Sequence, residues 1–577
     1  MCNSGVFHFS RDVTHNVTIQ LSSDLGPTIF LSLIHHLAFS ICNAMTAAAS
    51  TAEDSRTYQR HGNCTNVTLT PPVFKLDRDL LWLIFARSAQ MEVDLDSEEI
   101  FSAEIFPLSA SPLVVLRYSS HVCSAWREII LSSPSLWGQI IDLGGLTQRS
   151  NDWRRAVLER SQQSLLSIQG IIYAGPRHAL HRSFFLGLIA DEWERIRHLQ
   201  VTICVQESMD CNAWNSLWRP SLTLEKFALA VVTPKGARIH IPNKPDQTFF
   251  SNVAPRLRTF DLRTYVSINL KAPWVSQLRR LGISSACTLD ELFSALSEME
   301  FLEELSVENV REPKEDVFFP SFHIKLPLLK QLAIHQSISI CLDILDSIVP
   351  AEGCRIRIKS FNSNLHNFLS LRKPLCGVLN RYTKEYLNAN SPSTLSLVLD
   401  NQSACLQIYD KCLSLGTSKS IPDPTSPQFS ISVHSIMSSF RPCMFAAFAR
   451  ILKGCSMQDF IKFKLRIFGR PFEEYDPDFI HIILSLFSVI ELEATTEALA
   501  LLYGMQRDAP IFPVLKTLKI DNFTKVNPIV IAEFLVGMIN NNTPIDNLDL
   551  TLLEPQDLGV IKSLHHLVPD VKVAGCP

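Results

Sequence analysis

The chain has little charge. Asp, Glu, Lys and Arg make up 19% of its 577 residues, below the ~25% usual for soluble domains, which excludes coiled coils and other long solvated helices. Glycine is scarce too, at 20 residues, so a collagen-like repeat is excluded. Neither sign of charge predominates. The 53 basic and 57 acidic residues leave a formal −4, and no global field favours nucleic acid or an anionic membrane. The 15 cysteines include no C-x-x-C pair, which argues against a zinc cluster or a redox dithiol. Scattered thiols in a large apolar chain act as small buried hydrophobes, and a reducing cytoplasmic or nuclear compartment is expected. The phosphate-binding loop G-x-x-x-x-G-K-[ST], the dinucleotide fingerprint G-x-G-x-x-G, the zinc motif H-E-x-x-H and the nucleophile elbow G-x-S-x-G are all missing. The pairs His35-His36 and His565-His566 are adjacent, so on a regular element their side chains diverge rather than chelate. The expectation is a non-enzymatic chain without metal or cofactor.

Apolar side chains are what the sequence has in quantity. The core-forming types reach 46% and mean hydropathy is +0.12, which excludes a mostly disordered chain. At ~150 residues per domain the length suggests about four domains, or fewer if part of it is a repeat array. From Leu25 to Ala52 no residue is charged, a stretch long enough to span a bilayer. His35, His36 and Asn43 interrupt it, and it starts too late for a signal peptide. Residues 1–70 therefore read as a poorly ordered leader, and membrane association is disfavoured.

A helical module is expected over residues 71–143. The run from Lys75 to Arg87 reads as a helix, with Asp77 at the N-cap and Asp79 in the first turn. Leu80 and Ile84 share one face, Leu81 and Phe85 the adjoining one, and Trp82 and Leu83 cover the remainder. A helix apolar nearly all round needs burial on several sides, more than a module of about 60 residues supplies alone. Helix starts recur at Ser111-Pro112 and Ser133-Pro134. Between them, Val122, Trp126, Ile129 and Ile130 form an amphipathic stripe.

These residues have a family resemblance. Leu76-x-x-x-Leu80-Leu81-x-x-Ile84-Phe85, then Val122-Cys123-x-x-Trp126-Arg127-x-Ile129, then Pro134-Ser135-Leu136-Trp137 together resemble an F-box, in particular that of the F-box proteins abundant in fungi. Where the family usually has Leu-Pro at the start, this chain has Leu76-Asp77. The resemblance implies docking on the Skp adaptor of a cullin–RING ubiquitin ligase. Leu76, Leu80, Leu81, Ile84 and Phe85 would face the adaptor or brace the helix that does. Val122, Cys123 and Trp126 would divide between module core and interface.

Beyond residue 190 an apolar triplet recurs, with two residues and then one between its members. It reads Ile196/Leu199/Val201, Leu224/Phe227/Leu229, Leu257/Phe260/Leu262, Leu278/Leu281/Ile283, Leu302/Leu305/Val307 and Leu329/Leu332/Ile334. It returns as Phe460/Phe463/Leu465, Phe487/Ile490/Leu492, Leu515/Leu518/Ile520 and Ile545/Leu548/Leu550. The spacing is close to the ~20–29 residues of leucine-rich repeats. The asparagine position of that family holds Tyr265, Ala286, Val310 and Phe523, so an irregular array is expected. The pattern lapses over 340–455. Thr288-x-x-Glu291 is a capping box for one intervening helix, and Asn527-Pro528 starts another. If the strands are parallel, alternate residues line an open face. Those proposed to hold a partner are Asp261, Arg263, Arg280, Glu304, Glu308, Gln331, His335, Lys519 and Asp521. Their mixed charge suits a protein target better than a phosphate backbone.

The expected fold is α/β: a short all-α F-box-like module at 71–143, then an irregular leucine-rich-repeat-like solenoid at 144–415 and 429–577, broken by an exposed Pro/Ser-rich loop at 416–428. The expected function is that of a substrate-recognition subunit of a ubiquitin ligase, bound to the Skp adaptor and to an unidentified protein target, with no nucleic-acid partner. A repeat scaffold with a non-functional F-box, and a membrane-anchored protein, are the alternatives.

Overall fold

The structure, a computed structural model, describes residues 76–88, 111–148, 150–173, 175, 178–204, 211–232, 241, 247–284, 287–311, 323–362, 365–400, 403–410, 427–435, 440–468, 477–506, 510–521, 527–552, 564 and 566–573. The chain divides into two units, Met1–Asp77 with Leu413–Ile421 and Arg78–Cys412 with Pro422–Pro577. Apart from Leu76 and Asp77, every described residue belongs to the second. The leader expected at 1–70, the acidic stretch after Met91 and most of the loop expected at 416–428 lie outside the described residues.

Among the described residues the chain is mixed α/β, with thirteen α-helices and a seventeen-stranded, largely parallel sheet. The strands are β1 (Ile141–Asp142), β2 (Leu166–Ile172), β3 (Ile196–Cys204), β4 (Lys226–Val232), β5 (Thr259–Arg263), β6 (Arg280–Ile283), β7 (Glu304–Glu308), β8 (Ile324–Lys325), β9 (Gln331–Ser337) and β10 (Ile348–Val349). There follow β11 (Arg355–Asn362), β12 (Pro392–Leu399), β13 (Ser403–Asp410), β14 (Phe429–Ser435), β15 (Lys462–Ile467), β16 (Glu491–Ala494), β17 (Thr517–Ile520), β18 (Asn547–Leu550) and β19 (Asp570–Val573). From β1 to β7, then through β9 and β11, each strand lies parallel beside the next. After β11 come β14, β13 and β12, with β13 antiparallel to both neighbours. Parallel sequential order resumes from β12 through β15 to β19. The two-residue β8 and β10 pair separately. The sheet thus begins inside the stretch expected to be helical, since β1 precedes residue 144.

Alternation makes these strands. In β5, β7 and β9, interior and open-face residues alternate one by one, as the period of two requires. Register keeps like with like: Leu199, Phe227, Phe260, Leu281, Leu305, Leu332 and Ile356 lie opposite one another on successive strands. All are buried. Each such side chain contributes about 1.5–3 kcal/mol relative to exposure. A one-residue slip would turn the whole row to the wrong face.

One triplet is phased differently from the sequence reading. Phe463 pairs with Leu492, so Leu492 holds the middle position and the interior triplet is Val489, Leu492 and Ala494, all buried. Phe487 is 51% exposed and Ile490 also lies outside. Alanine gives a weak hydrophobic signal, so the stronger apolar residues two positions earlier imitated the repeat. The lapse over 340–455 has a physical cause as well. A 25-residue helix, Leu365–Ala389, and the reversed β13 occupy that stretch.

Local signals position the helices. Thr288 accepts from the Glu291 N–H at 3.3 Å while the Glu291 carboxylate accepts from the Thr288 N–H at 3.0 Å, a complete capping box on Leu289–Leu296. Asn527 accepts from the Ile529 N–H at 3.1 Å and starts Pro528–Asn540. Ser111 and Ser133 occupy N-cap positions, yet their hydroxyls bond elsewhere, to Asp142 and to the Ile129 carbonyl. There the proline, not the serine, starts the helix.

Candidate functional site

The open face of the sheet collects most of the polar residues expected to hold a partner. Register sets Asp261, Gly282, Ser306, Ala333 and Arg357 side by side on five adjacent strands. Three small residues in the middle of that row leave a depression of about 90 Å³. Asp261, Arg263, Arg280, Glu304, Glu308, Gln331 and His335 line it, together with Arg357 and Lys359. Seven of the nine expected residues are therefore brought together. Ser284, which continues the alternation of Arg280 and Gly282 just past the end of β6, is buried.

Ion pairs organise the walls. Arg263 meets Asp261 at 3.2 Å and Arg280 meets Glu304 at 2.5 Å. Gly282 makes room for the first pair, because a Cβ there would lie 2.5 Å from Asp261 Oδ1. Among the described residues the side chain of Arg357, which is half-buried, has no hydrogen bond or ion pair. A guanidinium partly withdrawn from water with no counter-charge is a ready site for an anion.

Lys519 and Asp521 lie elsewhere, toward the C-terminal end of the sheet, and Asp521 corrects the sequence reading. At 2% exposure it cannot meet a target. Its carboxylate is paired with Arg466 Nε, and Arg466 Nη2 also reaches Glu493 at 2.7 Å. Lys464 meets Glu493 at 3.2 Å. Burial alone would raise Glu493, but Lys464 and Arg466 outweigh it and hold the carboxyl below its ordinary value. The alternation that sets Lys519 on the open face ends with the strand at Ile520, and the pairing draws Asp521 inward.

In the helical segment the eight expected residues split. Leu81, Phe85 and Trp126 are buried, with the Phe85 and Trp126 rings edge-on at 5.1 Å. They brace the helices and are not open to a partner. Ile84, Val122 and Cys123 are half-buried, and Leu76 precedes the Arg78–Ser88 helix by two residues. Cys123 caps Ser124–Leu131 by accepting from the Trp126 N–H. Trp137 is buried and donates to the Ile130 carbonyl at 2.9 Å, with Arg160 over its ring. Leu80 is 45% and Leu83 56% exposed. One turn apart on the helix, they form an uncovered apolar stripe in which Leu83 was not expected.

The sequence reading missed Arg357, Lys359 and Phe361 because β11 falls where the triplet lapses. Strict alternation over Arg355-Ile356-Arg357-Ile358-Lys359 was the available signal. Among the described residues no group of three or more His, Cys, Asp or Glu could hold a metal ion, and no helix is long and apolar enough to cross a membrane. Neither the known family models nor the curated proteins include a match to this chain.

Proposed function

We propose that the chain is the substrate-recognition subunit of a Skp–cullin–F-box ubiquitin ligase. The helices between Arg78 and Gly138 dock on the adaptor, and the strands are successive turns of an irregular leucine-rich-repeat-like solenoid whose open face holds a protein target. The observation that carries this reading is the Leu80/Leu83 stripe. Two exposed leucines stand on a helix whose opposite side, Leu81 and Phe85, is already buried. They stand within residues whose order and spacing resemble an F-box. The sequential parallel strands agree with a repeat architecture.

The mechanism is geometric. No bond is made or broken by this chain; it raises the concentration of target beside a transferase held on the same assembly. The test is capture of a purified Skp adaptor by the full-length chain. Replacing Leu80 and Leu83 by Asp abolishes capture while circular dichroism and the unfolding midpoint stay at the wild-type values. A wild-type chain that fails to capture the adaptor overturns the ligase reading and leaves an interaction scaffold with a non-functional F-box, the reading favoured by Asp77 in place of the family's proline.

A further inference from the structure

The open face carries one feature that polar pairing does not explain. Phe361, in β11, is 55% exposed. Among the described residues it is the only exposed large apolar side chain within a strand of the main sheet. Two imidazoles hold it in place: His335 at 4.9 Å between ring centroids and His434, stacked, at 5.5 Å. Those histidines come from the strands on either side, since Phe361 pairs with His434 on β14 and its neighbour Lys359 pairs with His335 on β9. An aromatic ring fixed between two others, with its edge left open to water, is an apolar platform that needs little ordering when a partner arrives.

The platform and the depression are continuous. His335 lines the depression and touches Phe361, and Arg357 stands on the same strand and the same face as Phe361. Four residues of strand separate them, about 13 Å at ~3.3 Å per residue. A chain segment laid alongside in extended conformation meets both with side chains that are likewise four positions apart.

We propose that the target enters as an extended segment bearing a carboxylate and an aromatic side chain four residues apart. The carboxylate pairs with Arg357, and the aromatic ring packs against the exposed edge of Phe361. Charge selects the first contact: Arg263 and Arg280 already have carboxylates, whereas the Arg357 guanidinium is in no ion pair among the described residues. A two-pronged guanidinium recognises the planar carboxylate directionally. Ala333, beside Arg357 on β9, gives the segment's backbone room at that end. This inference rests on the reading of the open face as the target-holding surface and specifies which targets that surface takes.

The experiment uses the full-length chain and short fluorescent peptides in a serine–threonine host, with Glu and Phe four positions apart. Fluorescence anisotropy reads the affinity. Changing the peptide's Glu to Gln weakens binding about tenfold, and changing its Phe to Ala weakens it about threefold or more. Arg357→Ala in the protein removes the Glu/Gln discrimination only, and Phe361→Ala removes the Phe/Ala discrimination only. Equal binding of the Glu and Gln peptides, or discrimination that survives Arg357→Ala, overturns the proposal. Both protein variants capture the adaptor as the wild type does. Loss of peptide discrimination with adaptor capture intact therefore removes this inference alone. Failure of adaptor capture with discrimination intact removes the ligase reading and leaves the peptide site standing.

Discussion

Near the C-terminal end of the sheet, the open-face charges are consumed by one another. Arg466 takes both Glu493 and Asp521, and Glu493 also takes Lys464. At the centre, Asp261 and Glu304 are matched by Arg263 and Arg280, but Arg357 is left over. The two regions share strand geometry, alternation and residue types. They differ in whether the last cation finds an acid within the chain. A closed network contributes to the fold, and an open one keeps electrostatic free energy for a partner. Charge content alone therefore does not mark a binding face.

The comparison breaks most visibly at Arg466. Its replacement by Ala leaves Asp521 and Glu493, both buried, without their shared counter-charge. Stability falls by about 3–5 kcal/mol, read as a lower midpoint in urea unfolding at neutral pH. Arg357→Ala removes no existing pair, and its midpoint stays at the wild-type value. Equal losses for the two arginines would mean that the central depression is as structural as the network.

Acid sharpens the contrast between one end of the chain and the other. Burial, with Arg154 and His178 close by, lowers His181 on the Ala179–Asp191 helix from 6.5 to about 4. Between those values the unfolded chain binds a proton that the folded chain refuses, so stability falls as pH drops from 6.5 toward 4. From pH 7 to pH 5 the loss is about 2 kcal/mol. Glu493 works in a separate window. Its folded value is depressed below the ordinary 4.5, so its contribution is complete above pH 4.5 and fades only as pH falls through the folded value. Urea midpoints at pH 7 and pH 5 separate the two. His181→Leu flattens the wild-type decline, whereas Glu493→Gln leaves its slope unchanged over that range. A decline that persists in His181→Leu would assign it to other groups.

Gly282→Ala tests how the depression is kept open. The added methyl meets the Asp261 carboxylate, and displacing that side chain costs about 1 kcal/mol and narrows the floor. Combining it with Asp261→Ala relieves the clash, so the double variant is more stable than the sum of the single losses requires. Simple additivity in a double-mutant cycle would show that the two side chains do not meet.

How much of this was legible in the sequence follows from which interactions are local. The triplets at Leu257/Phe260/Leu262 and Leu302/Leu305/Val307 announce strands because period-two burial needs only neighbouring residues, and the open-face positions follow by alternation. The capping box at Thr288 is equally local. Asp521 was misplaced because its partner Arg466 lies on another strand, and no pattern within a strand encodes that pairing. Val489 and Ala494 were missed for lack of a strong apolar signal. Phe361 escaped because its significance depends on rings from β9 and β14, brought beside it only by a sheet order that reverses at β13. Leu83 looked like one more apolar residue on a helix apolar all round. Which side stays uncovered is decided by packing against Trp126.

The weakest expected effect guards the whole comparison. Glu303 bridges Arg279 at 3.2 Å and Lys330 at 3.1 Å, so by connectivity it mirrors Arg466, one charge shared between two opposite ones. Both of its partners are mostly exposed. Water screens each pair and the long side chains lose entropy on being held, which leaves such contacts worth ~0–1 kcal/mol. Glu303→Gln accordingly shifts stability by no more than about 0.5 kcal/mol, and added salt erases even that. Urea midpoints for Glu303→Gln and Arg466→Ala at low and high ionic strength decide the point. If the exposed bridge costs as much as the buried one, connectivity rather than burial separates structural from available charge, and the contrast drawn between the two regions of the sheet fails.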